Sequence, residues 1–367
     1  MLELADIVRA VGPEERARLA VLPSQKKALQ DIERCRTPAL GGQLFRCDHC
    51  GAEHYSYHSC GNRHCPKCHG QQTEIWLEQQ HSRLLPCPYY LLTFTLPAEL
   101  RPLAHRQQKV LYGLLLKCAA ASLQKLCRDP QWLGAQPSVL GVLHTWTRAM
   151  AYHPHAHFLV SAGGLSADGQ RWLEPKNPKF LVPVHALSVI FRAKMRDALK
   201  ARGLLAGVPP FWRTKKWVVH AKPAGRGEKV LEYLARYVFR IALSNSRLER
   251  FENGQVTFRY RENRTQQIKR LTLPAADFLA RFLQHVLPKG FSKVRHYGLD
   301  SSANQARHQQ AQHLLERLQP PAQELAHPIP SQDDASTQDA TKPLQLCPYC
   351  RIGHLIWVAE VPKKIPP

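Results

Sequence analysis

The stretch AYHPHAHFLVSAGG, residues 151–164, decides how the chain is read. Its apolar run, Phe158-Leu159-Val160, predicts a buried strand over His155–Ser161. Successive side chains of a strand point to opposite faces, so His155 and His157 share one face. Two imidazoles fixed on one face make a bidentate metal site. His153 has the same parity, but Pro154 disfavours a strand that reaches it. Upstream, Ser138–Thr145 predicts a second strand, and the short connection predicts a hairpin.

Downstream lies VLEYLARYVFR, residues 230–240, a helical pattern over Glu228–Phe239. Tyr233 and Tyr237 are four apart and therefore neighbours on one helix face. Helical tyrosine pairs often pack on a sheet. Beside a metal pair the same phenols become competent nucleophiles toward phosphorus. Arg236 and Arg240 lie within a turn of them and are suited to holding phosphate. Around this centre, residues 85–300 read as one mixed unit. It has strands over Tyr89–Pro97 and Lys216–Ala221. Helices are predicted over Leu100–Leu126, Val184–Ala201 and Pro274–Val286, and a hairpin turns at Asn253-Gly254.

Residues 1–84 form a cysteine-rich head. Helices are predicted over Gln25–Arg34 and Gln71–Leu85, with Cys35–Cys68 between them. Cys47-x-x-Cys50 and Cys65-x-x-Cys68 are separated by residues 51–64, close to zinc-ribbon spacing. Two such turns supply four thiolates, the closed tetrahedral set of a structural Zn2+ ion. Cys35 and Cys60, with His54, His58 and His64 nearby, are candidates for a second zinc. Arg63, His64 and Lys67 would give the head positive charge toward DNA. Residues 301–367 shift to Gln, Pro, Ala and Ser. They read as a linker, partly helical at first, and a short tail whose Cys347 and Cys350 have no partner pair within it.

Composition agrees with a polyanionic partner. Lys and Arg number 51 against 28 Asp and Glu, a net charge of +23. Basic side chains gain affinity by releasing counterions from phosphates. Eleven cysteines, an odd number in tight Cys-x-x-Cys spacings, favour metal in a reducing compartment over a disulfide framework. There is no apolar signal core at the start and no run of about 18 apolar residues. The expectation is a bacterial cytoplasmic protein on the nucleoid, with no membrane partner and no nucleotide cofactor.

The chain resembles the rolling-circle transposases of the insertion-sequence ninety-one type, within the HUH endonuclease superfamily. The blocks that carry the resemblance are CRTPALGGQLFRCDHCG from Cys35, SCGNRHCPKC from Ser59, TFTLP from Thr93 and VLHTW from Val142. They continue with HPHAHFLVSAGGL from His153, YLARYVFRIALSNSRL from Tyr233, VTFRYR from Val256 and FLQHVLPKGFSKVRHYG from Phe282. Ala156, between the two histidines, is smaller than the bulky residue of the family pattern.

The resemblance implies an α+β fold: an HUH-type antiparallel sheet flanked by helices, preceded by a small zinc-binding domain. It implies Mg2+ or Mn2+ on His155, His157 and a third ligand, for which His144 is a candidate. It also implies Tyr233 and Tyr237 as nucleophiles that form a 5′-phosphotyrosine with single-stranded DNA at transposon ends and target DNA. A plasmid-type replication initiator would use the same chemistry. A non-catalytic zinc-finger regulator would explain the head and the charge but not the His pair together with the Tyr pair.

Overall fold

The computed structural model describes residues 2–19, 22–68, 70–177, 180–206, 208, 210, 215–238, 242–262, 264–318 and 345–364. Its helices are α1 (Leu4–Ala10), α2 (Pro13–Leu19), α3 (Pro23–Arg34), α4 (Gly70–His81) and α5 (Arg101–Arg106). They continue with α6 (Gln108–Arg128), α7 (Val184–Lys200), α8 (Glu228–Val238), α9 (Ala275–Leu283) and α10 (Gln305–Leu318). The strands are β1 (Gly42–Cys47), β2 (Glu53–Tyr57), β3 (Tyr89–Thr95), β4 (Ser138–Trp146), β5 (Tyr152–Ser161), β6 (Gly164–Leu165) and β7 (Trp172–Leu173). After them come β8 (Val219–Pro223), β9 (Leu248–Glu252), β10 (Gln255–Arg261), β11 (Ile268–Pro274), β12 (Val294–Gly298) and β13 (Leu355–Val361).

The central sheet has the order β12-β4-β5-β3-β8 and is antiparallel throughout. The α+β reading of the sequence holds. Strand parity divides the side chains of the sheet cleanly. Tyr90, Leu92 and Phe94 of β3, Ala156, Phe158 and Val160 of β5, and Val139 and Leu143 of β4 share a core with α6 and α7. Phe94 meets Phe158 and Phe191 edge-on, with ring centroids 5.4 and 5.1 Å away. Phe158 fills the space over Gly141, where a Cβ would lie 2.8 Å from the ring. α6 is long and apolar enough to cross a membrane by composition alone. Here its Leu111, Leu115, Ala119 and Leu123 lie buried against the sheet.

The opposite face is half apolar. Tyr89, Leu140, Val142 and Leu159 pack on Leu231 and Leu234 of α8 and on Ala311 and Leu315 of α10. The rest of that face carries histidines. β5 begins at Tyr152 rather than at His155: the ladder to β4 is irregular between His144 and Trp146, beside Pro154, which lacks an N–H but accepts from the Leu96 N–H at 3.1 Å. The predicted helix over 100–126 is broken at Gln107, whose φ of −121° and ψ of 46° leave the helical region.

The head is not set apart from the rest. Leu4, Ile7 and Val8 of α1 and Leu29 and Ile32 of α3 share one core with Phe258 of β10 and Phe278 and Phe282 of α9. Residues 355–361, expected in a loose tail, form the third strand of the head sheet, in the order β13-β1-β2. The linker over 319–344 lies outside the described residues.

Candidate metal and nucleophile sites

The register of β4 and β5 sets His144 opposite His155, and His157 opposite Val142 and Thr93. The three imidazoles therefore converge on one face of the sheet, their ligand atoms within 4.8 Å of one another. His144 and His157 have ring centroids 4.5 Å apart, and His155 and His157 4.9 Å. The outer nitrogens are fixed. His157 Nδ1 is 2.9 Å from Thr93 Oγ1, and His155 Nδ1 is 2.7 Å from the His153 carbonyl. Such partners orient the ring and leave Nε2 for the ion. Burial keeps the imidazoles neutral. It holds His155 down at about 4 and His157 at about 3, and His144 well below the ordinary histidine value. Neutral imidazole is the ligand form, so a metal here would meet little competition from protons near neutral pH.

α8 covers the apolar half of this face, and its Tyr233 extends over the histidines. The Tyr233 and His157 rings lie 6.3 Å apart and nearly perpendicular. Tyr233 remains 36% exposed. Arg240 lies outside the described residues, as do the side chains of Arg236 and Tyr237. His220 and Lys222 of the edge strand β8 stand on the same face, paired with Thr93 and Leu91. Sequence reading missed Thr93 and Lys222, since nothing local ties them to the histidines before the strands are paired. It also missed Lys293, which lies 4.8 Å over the Trp146 ring and is drawn down to about 7 by burial.

The cysteines group differently from the expected set. Cys47 and Cys50 do not join Cys65 and Cys68. One cluster is Cys35, Cys60, Cys65 and Cys68; the other is Cys47, Cys50, Cys347 and Cys350. The β1–β2 hairpin explains this. Arg46 pairs with Glu53 at one end and Gly42 with Tyr57 at the other. The two expected pairs thus sit at opposite ends of a hairpin roughly 17 Å long. Cys35 ends α3 at the far end, where the chain leaving β2 brings Cys60 to it. A tetrahedron of thiolates about 2.3 Å from zinc sets its sulfurs about 3.8 Å apart. Cys35–Cys68 and Cys60–Cys68 are 3.5 and 3.6 Å apart. Cys60 N–H donates to Cys35 Sγ at 3.5 Å. The donor set fits structural zinc.

Arg63 and Lys67 were expected to face DNA and instead turn inward. The Arg63 guanidinium donates to the carbonyls of Phe291 and Pro288 at 2.7 and 3.0 Å. Lys67 forms an ion pair with Glu3. Both tie the zinc knuckle to the rest of the fold. His64 is buried and its Nε2 accepts from the Leu287 N–H.

An antiparallel sheet with a three-histidine cluster beside a helical tyrosine, joined to cysteine clusters that fit zinc, suits a protein that acts on DNA. Comparison with known proteins agrees. Residues 7–96 match the family described as "Transposase zinc-binding domain", and residues 138–308 match one described as "Putative transposase". A similarly described protein of Sinorhizobium fredii is 36% identical over 378 residues, covering 97% of this chain and 94% of that one. The transposase for insertion sequence element IS801 of Pseudomonas savastanoi pv. phaseolicola is 33% identical over 303 residues. That match covers 75% of this chain and 72% of that one. No solved structure matches the chain. The chain belongs to the transposases of the insertion-sequence ninety-one type, with an N-terminal zinc-binding domain.

Proposed function

We propose that the chain nicks and rejoins single-stranded DNA at the ends of its element, with Tyr233 attacking beside a divalent ion held by His144, His155 and His157. The observation that carries this reading is Tyr233 lying over His157 on the face where the imidazoles converge. An all-imidazole set suits Mn2+ better than Mg2+, which favours oxygen ligands. When bound, the ion polarises a phosphodiester and stabilises the charge of the transition state.

Tyr233 Oη forms a bond to phosphorus as the P–O3′ bond breaks. The phenol proton passes to solvent, and the departing oxygen takes up a proton to become a free 3′-hydroxyl. The product is a 5′-phosphotyrosine. Its bond retains the phosphodiester energy, so attack by another 3′-hydroxyl rejoins DNA without a nucleotide cofactor. Tyr237, one turn further on α8, would serve the second cut. Arg236, Arg240 and Lys222 would hold the backbone phosphates of element and target strands in the bacterial cytoplasm.

The test is denaturing electrophoresis after incubation with labelled single-stranded element ends and Mn2+. The natural chain should give a slow-migrating covalent band. The Tyr233→Phe/Tyr237→Phe double variant should bind the DNA within about twofold, because only two hydroxyls are lost, yet give no band. A persistent band would remove both tyrosines from the mechanism.

A further inference from the structure

Cys347 and Cys350 lie beyond both matched segments, which end at residues 96 and 308. The fold nevertheless carries them back to the first strand of the head. Cys47 Sγ is 3.7 Å from Cys350 Sγ, and Cys50 Sγ is 3.8 Å from Cys347 Sγ, across 303 and 297 positions of chain. These separations are those of a zinc tetrathiolate, about 3.8 Å between sulfurs.

The two Cys-x-x-Cys turns also share one backbone geometry. Gly51 N–H donates to the Cys47 carbonyl at 3.1 Å, and Arg351 N–H donates to the Cys347 carbonyl at 3.0 Å. Both residues are left-handed, with φ of 70° and 57°. Cys50 N–H donates to Cys47 Sγ and Gly353 N–H to Cys350 Sγ, each at 3.5 Å. Backbone N–H groups aimed at sulfur stabilise thiolate, the form that binds metal.

The contact between the turns is close. A Cβ at Gly353 would lie 2.4 Å from Asp48 Oδ1 and 2.7 Å from Cys47 Sγ, so only glycine allows it. Asp48 N–H donates to the His354 carbonyl at 3.1 Å, and the Asp48 carboxylate accepts from the His354 N–H at 2.8 Å. Cys47, Cys347 and Leu355 are buried together, with Phe45 and Cys350 packed on them. That small cluster is too little apolar surface to hold a strand by itself, which gives the metal its purpose.

We propose that Cys47, Cys50, Cys347 and Cys350 bind a second Zn2+, and that this ion clasps residues 345–364 onto the head as the outer strand of its sheet. Binding takes one zinc ion from solution and releases the thiol protons to solvent. The site is independent of the nicking reaction, and its failure would leave that reading standing. It is also more open than the first. Each cluster has two buried cysteines, but Cys50 is exposed, whereas the least buried cysteines of the first cluster, Cys60 and Cys68, are half-buried. The clasp ion should therefore leave first.

Metal analysis of the purified full-length chain tests this. The natural chain should hold one zinc ion more than Cys347→Ser/Cys350→Ser, whose far-ultraviolet circular dichroism should change by no more than the loss of one short strand. An equal zinc content in the two proteins would overturn the proposal. A second measurement does not depend on the variant folding. A protease site inserted between residues 330 and 331 is cleaved, and the product is run on a sizing column. The C-terminal fragment should stay with the body in zinc and separate from it in a chelator. Co-elution in chelator, or separation in zinc, would also overturn it.

Discussion

The histidine cluster and the first cysteine cluster would hold metals by opposite means. The histidines sit on β4 and β5 in the middle of a five-stranded sheet, and strand register alone brings them together. Strand pairing would preset their geometry for an ion. The cysteines Cys35, Cys60, Cys65 and Cys68 sit on a helix end and on turns that have no sheet to fix them. There the ion makes the structure, whereas on the sheet the structure makes the ion site. A preformed site can leave a position open for substrate. A site that the ion folds must be closed.

The largest effect that would test this contrast is Cys65→Ser. Cys65 is 2% exposed and lies in the core shared by α1, α3 and α9. Its loss should release the first zinc and destabilise the fold by on the order of 5 kcal/mol or more. His157→Ala should abolish nicking yet leave the unfolding temperature within a few degrees. Thermal unfolding of both variants measures the difference, and equal destabilisation would erase the distinction.

A smaller effect concerns the outer partner of the histidine site. Thr93→Val keeps the shape of the side chain and removes the hydroxyl beside His157 Nδ1. Mn2+ affinity should fall roughly 10- to 100-fold with the fold intact. Calorimetric titration with Mn2+ reads this directly, and unchanged affinity would mean that packing alone orients the ring.

A third effect, of a size comparable to the second, is on acid stability. His285 is buried beside the histidine sheet, with Thr145 Oγ1 at 3.2 Å and the Met150 carbonyl at 3.1 Å. Burial lowers it from 6.5 to about 4. The unfolded chain therefore binds the proton more readily, so this contribution is complete above pH 6.5 and is lost as pH falls toward 4. It is on the order of 3 kcal/mol. Denaturant melts between pH 4.5 and 7 should show a shallower pH slope in His285→Gln than in the natural chain. Identical slopes would assign the acid sensitivity to other groups.

Much of the histidine face was legible because its rules are local. Strand parity put His155 and His157 together, helix periodicity gave α8, which carries Tyr233 over His157, and Asn253-Gly254 fixed its hairpin with both residues left-handed, at φ 50° and 71°. Each of these depends on neighbours within a few residues. The placement of His144 against His155 needed only one more step, the pairing of adjacent strands.

The cysteine partners were not legible, for a reason the hairpin makes plain. Spacing suggested that Cys47-x-x-Cys50 and Cys65-x-x-Cys68 close on one ion, but the β1–β2 ladder holds them apart at its two ends. Cys47 instead meets a residue 303 positions away, and Arg63 and Lys67 turn toward partners at Phe291, Pro288 and Glu3. The sequence by itself determined the strands, the helices and the shared face of His155 and His157, because side-chain type and short-range periodicity follow from the chain alone. Tertiary structure decided which thiols share an ion and which basic residues remain outward, because those depend on how distant segments return to one another.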